Sequence, residues 1–347
     1  MISVSELLEP TPEPWWPLLR QVGVRQVVSY LKLGEQGLRW LALVPGGSAE
    51  PWEVTRRRIP EAGSRPWEEQ GVVELVRLYD DAGYELIGFE DAPPLDLARR
   101  GVEGRDEQIE WFCDLVRAMG AAGLSVLCYN WSAIGTWART GADVAARGGA
   151  RVTAFDEFQS ARQRPLDADG LTHEDLWRNL EYFLRAAVPV AEENGVRLAL
   201  HPDDPPLPEV RGIPRIMTSL DAFDRMLALV PSPANGIALC QGNFALMTDD
   251  IPAAINRYAD RINYVHFRDV SGTAQSFVET FHDTGPTDLL ACLRAYQEAG
   301  VEAALRPDHV PTLHGETNEK PGYMVLGRLH AIGYINGLRE AVFGKGA

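Results

Sequence analysis

Cysteine is scarce, with four in 347 residues, and no two of them form a Cys-x-x-Cys pair. That excludes a disulfide framework, fits a reducing compartment and leaves at least one thiol free to serve as a thiolate ligand. Long apolar runs are missing too: nothing approaches the roughly 18 uninterrupted apolar residues of a membrane span. The first twenty residues carry Glu6, Glu9, Glu13 and several prolines where a secretory leader would have a basic start and an apolar run. A cytoplasmic protein that does not enter a membrane is therefore expected. Positive charge is in deficit, 33 Lys and Arg against 49 Asp and Glu, for a formal net charge of −16. Such a surface repels phosphate backbones and offers no basic stripe, so nucleic acid is excluded as a partner. A small anionic substrate is not excluded, because a metal ion and a few arginines set the local potential whatever the global sum. Internal repeats and low-complexity tracts are also lacking.

What is present is a 45% apolar composition, enough for a large core, and α/β barrels of this size form a single domain. Short apolar runs recur at 2–5, 25–31, 84–90, 125–130, 197–201, 236–241, 262–268 and 303–308. Each leads into a polar or Gly/Pro-rich patch and then toward helical periodicity, as at 105–120, 174–194 and 287–299. Strand then helix, repeated about eight times, predicts a (β/α)8 TIM barrel spanning 1–347 as one domain. Two segments, 44–68 and 136–170, break the pattern and are expected to be long loops or short-helix excursions that help build the active face.

The last four strands share an ending: several apolar residues, then a side chain able to bind metal. These are His201 in HPDDPP, Cys240 in CQGN, His266 in HFRD and Asp308 in RPDH. All strand C-termini of a parallel barrel open on one face, so residues far apart in sequence can converge there. Two imidazoles, a thiolate and a carboxylate suit one divalent transition metal, with room for substrate oxygens. Blander readings go to the remaining candidates. Cys113, Cys128 and Cys292 lie on apolar faces and read as small hydrophobes, and His173, His314 and His330 read as structural or solvated. Asp203 and Asp204 either cap the following loop or support a ligand from behind.

Taken together, YNW (129–131) with WART (137–140), HPDDPP (201–206), GIPRI (212–216), NGIALCQGN (235–243), VHFRD (265–269), SFVETFH (276–282), RPDH (306–309) and PGY (321–323) followed by Arg328 and GYINGL (333–338) resemble the mannonate dehydratases in content and order. These are metal-dependent barrel enzymes of hexuronate breakdown, within the xylose-isomerase-like superfamily. The resemblance implies a Mn²⁺ or Fe²⁺ ion on His201, Cys240, His266 and Asp308, the quartet that the strand ends select. It also implies that His309 and Tyr323 transfer the protons in the loss of water across carbons 2 and 3 of a sugar acid, giving a 2-keto-3-deoxy acid. The chemistry requires such groups: a cation stabilises the charge that develops when the weakly acidic C2 proton leaves, a base must take that proton, and an acid must protonate the C3 hydroxyl. Asn130, Arg139, Arg215, Arg268 and Arg306 are candidates for holding the substrate carboxylate and hydroxyls, each arginine being equally able to form an ion pair inside the barrel mouth.

Departures from the family pattern cluster around the sugar pocket. YNWSAIGTWART stands where the family reads close to YNFMPVFDWTRT, Val310-Pro311 follows PDH, no histidine accompanies DAPPLD, Asp269 ends HFRD, and 285–289 reads GPTDL. Two other functions use the same residue types: a metal-dependent sugar isomerase or epimerase, which stabilises a similar charge without losing water, and a non-catalytic barrel that binds a sugar acid. Barrels of this kind commonly associate, so a homo-oligomer is expected, with PWWPLL at 14–19 serving either as a contact or as a plug of the barrel bottom.

Overall fold

A computed structural model describes residues 2–31, 42–43, 65–134 and 137–345. Eight strands close into a parallel barrel in sequence order: β1 (Ser3–Leu8), β2 (Gln26–Ser29), β3 (Glu85–Phe89), β4 (Val126–Tyr129), β5 (Arg197–Leu200), β6 (Asn235–Cys240), β7 (Ile262–Phe267) and β8 (Ala304–Pro307). Closure comes from β1 pairing with β8 at Ser3 with Ala304 and Val4 with Leu305. Every apolar run expected as a strand is one. The reason is that parallel barrel strands are covered on both faces and so need near-continuous apolar sequence.

Side-chain alternation sorts each strand into two faces. Leu198, Leu200, Ile237, Leu239, Val265, Phe267 and Leu305 point outward to the surrounding helices. Inward, a separate cluster of Leu7, Val28, Val126, Cys128, Ala199, Ala238, Tyr264 and Ala304 fills the barrel. The three alanines are small and leave room among them for the buried Tyr264 ring. Stepping two residues along from these inward positions reaches Asn130, His201, Cys240, His266 and Arg306, so the parity that packs the core also aims those residues into the mouth.

Among the described residues a helix follows each strand: Trp16–Gln21, Glu69–Asp81, Arg105–Ala121, His173–Glu193, Leu220–Leu229, Ile251–Arg257, Leu289–Glu298 and Val325–Phe343. None is long and apolar enough to cross a membrane. The His173–Glu193 helix starts with a capping box, Thr172 and Asp175 each satisfying the other's backbone N–H. Within PWWPLL, Trp16 and Leu19 are buried, Trp16 stacked on Tyr79 at 5.3 Å, while Pro14, Pro17 and Leu18 are exposed.

The 136–170 segment differs from expectation. It holds strands Gly141–Ala145 and Arg151–Asp156 and the short helix Glu157–Ala161. With Ser276–Glu279 and Val270–Thr273 these strands form a four-stranded antiparallel sheet. This cap sheet joins the loop after β4 to the loop after β7, and Trp137 and Arg139 just before it and Glu279 at its end reach the barrel mouth. Of the 44–68 excursion only 65–68 fall within the described residues.

Candidate metal centre and active site

His201, Cys240 and His266 offer ligand atoms that all lie within 4.8 Å of one another. Register explains part of this, since Cys240 on β6 pairs directly with His266 on β7. Asp308, just past β8, joins them, with Oδ2 at 3.7 Å from His266 Nδ1 and 4.0 Å from Cys240 Sγ. Cys240, His266 and Asp308 are buried, and His201 is the half-buried member that leaves the group open on one side.

Hydrogen bonding identifies which nitrogens face the centre. His201 Nδ1 lies 2.7 Å from the Pro202 carbonyl, which can only accept, so Nδ1 carries the proton and Nε2 a lone pair. His266 Nε2 lies at an ion-pair distance of 3.3 Å from the Glu90 carboxylate, whose charge favours the proton on Nε2 and the lone pair on Nδ1. The two lone-pair nitrogens face each other at 3.1 Å. Two acceptors at that distance with a carboxylate and a sulfur beside them are reconciled by a cation, and a carboxylate behind a histidine is the usual support of a metal ligand. The residues present therefore fit a divalent metal of intermediate softness.

The electrostatics agree. Burial lowers the His201 pKa, keeping the imidazole neutral as a ligand must be. Burial alone would raise Asp308, but His309 and the Arg306 guanidinium outweigh it and hold the carboxyl well below the usual range. Glu90 behaves alike: burial opposes ionisation, Arg306 and His266 favour it, and the result is about 2.

Beside the donors sits a histidine–tyrosine pair. His309 Nε2 lies 3.1 Å from the Tyr323 hydroxyl, which is 3.4 Å from Asp308 Oδ1. An extended chain would send Asp308 and His309 to opposite faces. His309 instead has φ +41°, a left-handed conformation that is rare outside glycine and turns both side chains toward the mouth. Gly322, at φ +85°, makes the turn that returns Tyr323 over them. Burial and the nearby Asp308 charge push the Tyr323 phenol well above its ordinary pKa. The Trp137 indole lies against the His309 ring with centroids 4.7 Å apart.

Three of the expected substrate-binding arginines are engaged by carboxylates. Arg139 spans Asp204 with bonds of 2.8 and 2.9 Å and reaches Glu279 at 2.5 Å. Arg268 binds Glu279 and Asp204 at 2.8 Å each, and its Nε lies 3.3 Å from Cys240 Sγ and 3.0 Å from Asp308. Arg306 grips Glu90 and donates to Asp308 Oδ1 at 2.8 Å. Of the two roles weighed for them, the ion pair is the one the geometry displays. Arg215 is also buried, donating to the Asp204 carbonyl at 3.0 Å, while its Nε and Nη2 make no hydrogen bond. Asn130 is half-buried, and its carbonyl accepts from Arg99 at 2.9 Å.

Sequence reasoning missed Glu90, Glu279, Trp137 and Asn243, which accepts from Arg268 at 2.8 Å. Glu90 closes an apolar strand run just as the ligands do, so the same rule, applied to β3, would have found it. Asp204, whose role was open, supports the site: its carboxylate joins Arg139 to Arg268. Asp203 caps the loop instead, accepting from the Ile216 and Met217 N–H groups.

Nitrogen, sulfur and oxygen donors at the C-terminal face of a parallel barrel, backed by carboxylates and flanked by a histidine–tyrosine pair, define a class: a (β/α)8-barrel enzyme with a candidate cation site at its mouth. The family model described as D-mannonate dehydratase (UxuA) matches residues 57–169 and 166–345. The chain belongs to the mannonate dehydratase family, whose hydro-lyases its curated relatives are named for. It is 34% identical over 304 residues to the mannonate dehydratase of Streptococcus pneumoniae (strain 70585), covering 79% of this chain and 83% of that one. It is 32% identical over 314 residues to that of Enterococcus faecalis (strain ATCC 700802 / V583), covering 80% and 87%. The crystal structure of mannonate dehydratase from Streptococcus suis serotype 2 superposes with a TM-score of 0.83 at 29% identity, covering 99% of this chain and 95% of that one. An L-ribulose 3-epimerase shares the barrel at a TM-score of 0.56 and 12% identity, a likeness of fold alone.

Proposed function

We propose that this protein removes water from D-mannonate to give 2-keto-3-deoxy-D-gluconate, using one Mn²⁺ or Fe²⁺ ion held by His201, Cys240, His266 and Asp308. The observation that carries the reading is the approach of His309 Nε2 and the Tyr323 hydroxyl, at 3.1 Å, beside the four donors. A divalent ion bound there supplies the positive charge that stabilises the anion developing next to the substrate carboxylate.

The chain's own groups account for the protons. His309 Nδ1 faces Glu279 at 2.8 Å and carries the proton, so Nε2 has the lone pair that takes hydrogen from C2. Tyr323, kept protonated, gives its proton to the C3 hydroxyl as the C3–O bond breaks and water leaves. The electron pair from the C2–H bond forms the C2–C3 double bond, and the enol becomes the 2-keto-3-deoxy acid. The proton on Nε2 then returns to the Tyr323 oxygen, restoring both residues. Arg139, Arg268 and Arg306 hold the carboxylates of the cage in place, and Asn130, on the inward face beyond β4, is positioned to meet a substrate hydroxyl.

Family membership favours elimination over isomerisation, epimerisation or binding without turnover. The experiment is an NMR assay of the purified protein with Mn²⁺ and a panel of aldonates. A 2-keto-3-deoxy acid from D-mannonate is expected; an isomeric sugar, or no product from any aldonate, would overturn the reading. We also place the protein in the cytoplasm, whose reducing conditions suit four buried free thiols.

A further inference from the structure

The cap sheet contributes a charge to the barrel mouth that none of the metal donors or the proton-transfer pair explains. Glu279 ends the strand Ser276–Glu279 and is 3% exposed. Its Oε1 lies 2.8 Å from His309 Nδ1, 2.5 Å from Arg139 Nη2 and 2.8 Å from Arg268 Nη1. Arg139 Nη2 is also 3.0 Å from the same His309 nitrogen. Nδ1 thus sees both an acceptor and a donor, and which one it answers decides the tautomer.

The hydrogen positions can be fixed by counting. Arg139 Nη2 has two hydrogens and two closer carboxylate acceptors, Glu279 Oε1 at 2.5 Å and Asp204 Oδ2 at 2.9 Å. Both hydrogens are used, so neither is left for Nδ1. An unprotonated Nδ1 would then set its lone pair against a carboxylate oxygen at 2.8 Å, two acceptors with nothing between them. Of the two neutral tautomers, only the one with the proton on Nδ1 satisfies every group, and it leaves Nε2 free to face the Tyr323 hydroxyl.

We infer that Glu279 is the positioning residue for His309: it fixes the imidazole with Nδ1 protonated and Nε2 turned to Tyr323. Arg139 and Arg268 in turn fix Glu279, clamping its carboxylate from two sides. The backbone turn past β8 aims the histidine at the mouth, and the cap sheet sets which of its nitrogens carries the proton. The kinetic part of this inference rests on the proposed dehydration; the tautomer does not.

The test uses the full-length chain, labelled with ¹⁵N-histidine and loaded with diamagnetic Zn²⁺. Two-bond ¹H–¹⁵N spectra report which ring nitrogen is protonated, and loss of signals in His309→Asn assigns His309. The wild-type protein is expected to show the Nδ1–H form. Glu279→Ala frees Arg139 Nη2 to donate to Nδ1 and is expected to move His309 toward the Nε2–H form. With Mn²⁺ and D-mannonate, Glu279→Ala should lower kcat about a hundredfold, the scale of one general acid–base contribution, with KM and bound metal per chain near wild type. An Nε2–H tautomer in the wild-type protein overturns the inference even if the variant does not fold. So does an unchanged tautomer in Glu279→Ala, or a loss of turnover that tracks a loss of bound metal. Wild-type protein that leaves D-mannonate untouched would sink the functional reading, while the spectra would still decide the role of Glu279.

Discussion

Asp308 and His309 show how one backbone angle lets adjacent residues serve different chemistry. The left-handed turn at His309 restricts what can replace it, and asparagine, which tolerates that conformation, is the informative substitution. His309→Asn is expected to keep the metal and lose turnover by at least about a hundredfold, checked by elemental analysis alongside the keto-acid assay. Cys240→Ser exchanges a soft sulfur for a weakly acidic hydroxyl, so the purified variant should carry markedly less metal. Full occupancy in that variant would remove Cys240 from the ligand set. A third residue governs acid stability. Burial depresses His282 from 6.5 to about 4. The unfolded chain takes up that proton below 6.5 and the folded one does not, so stability is fully present above 6.5 and declines as pH falls toward 4, by at most about 1.4 kcal/mol per pH unit. Replacing His282 with Gln should flatten that part of a plot of melting temperature against pH.

Elements differ in how openly the sequence declares them. The eight barrel strands were legible because each is covered on both faces and must be apolar throughout, and the strand-end rule then found His201, Cys240, His266 and Asp308 without any knowledge of contacts. The cap sheet was not legible. Its strands Arg151–Asp156 and Ser276–Glu279 pair across more than a hundred residues, and their half-exposed alternation looks like loop sequence. Glu279 was hidden for the same reason: a lone acid in an alternating segment reads as a solvated side chain, and only the pairing reveals that it faces two arginines and a histidine. The helical layer offers a simple check. Thr172→Ala removes one half of the capping box on the His173–Glu193 helix and should cost about 1 kcal/mol, seen in a denaturant titration. Gly242→Ala belongs to the barrel mouth instead. Its added Cβ would come within 2.7 Å of the Arg268 guanidinium, which Glu279, Asp204 and Asn243 hold in place. A loss of about 1–3 kcal/mol is expected by the same measurement.

At the scale of the whole molecule, the acidic surface and the centre obey different rules. A net charge of −16 says what the exterior repels, whereas the mouth gathers Arg139, Arg268 and Arg306 against Glu90, Asp204, Glu279 and Asp308. Composition could never have disclosed that local balance, because it depends on which strand ends meet. If the centre holds an ion only in the folded state, chelation should lower the melting temperature and added Mn²⁺ should restore it in a concentration-dependent way. A melting temperature indifferent to chelator would mean that the four donors do not bind metal in the folded protein.

The donors are also ordered along the chain. The carboxylate donor is the last of them in sequence, and it belongs to the strand that seals the ring against the first. During synthesis, a growing polypeptide must deliver everything through β8 from the ribosome before the fourth candidate donor exists. If these four residues hold an ion, its capture is a late event in the life of each molecule, and a chain truncated ahead of that point would lack both the sealed ring and the complete cage.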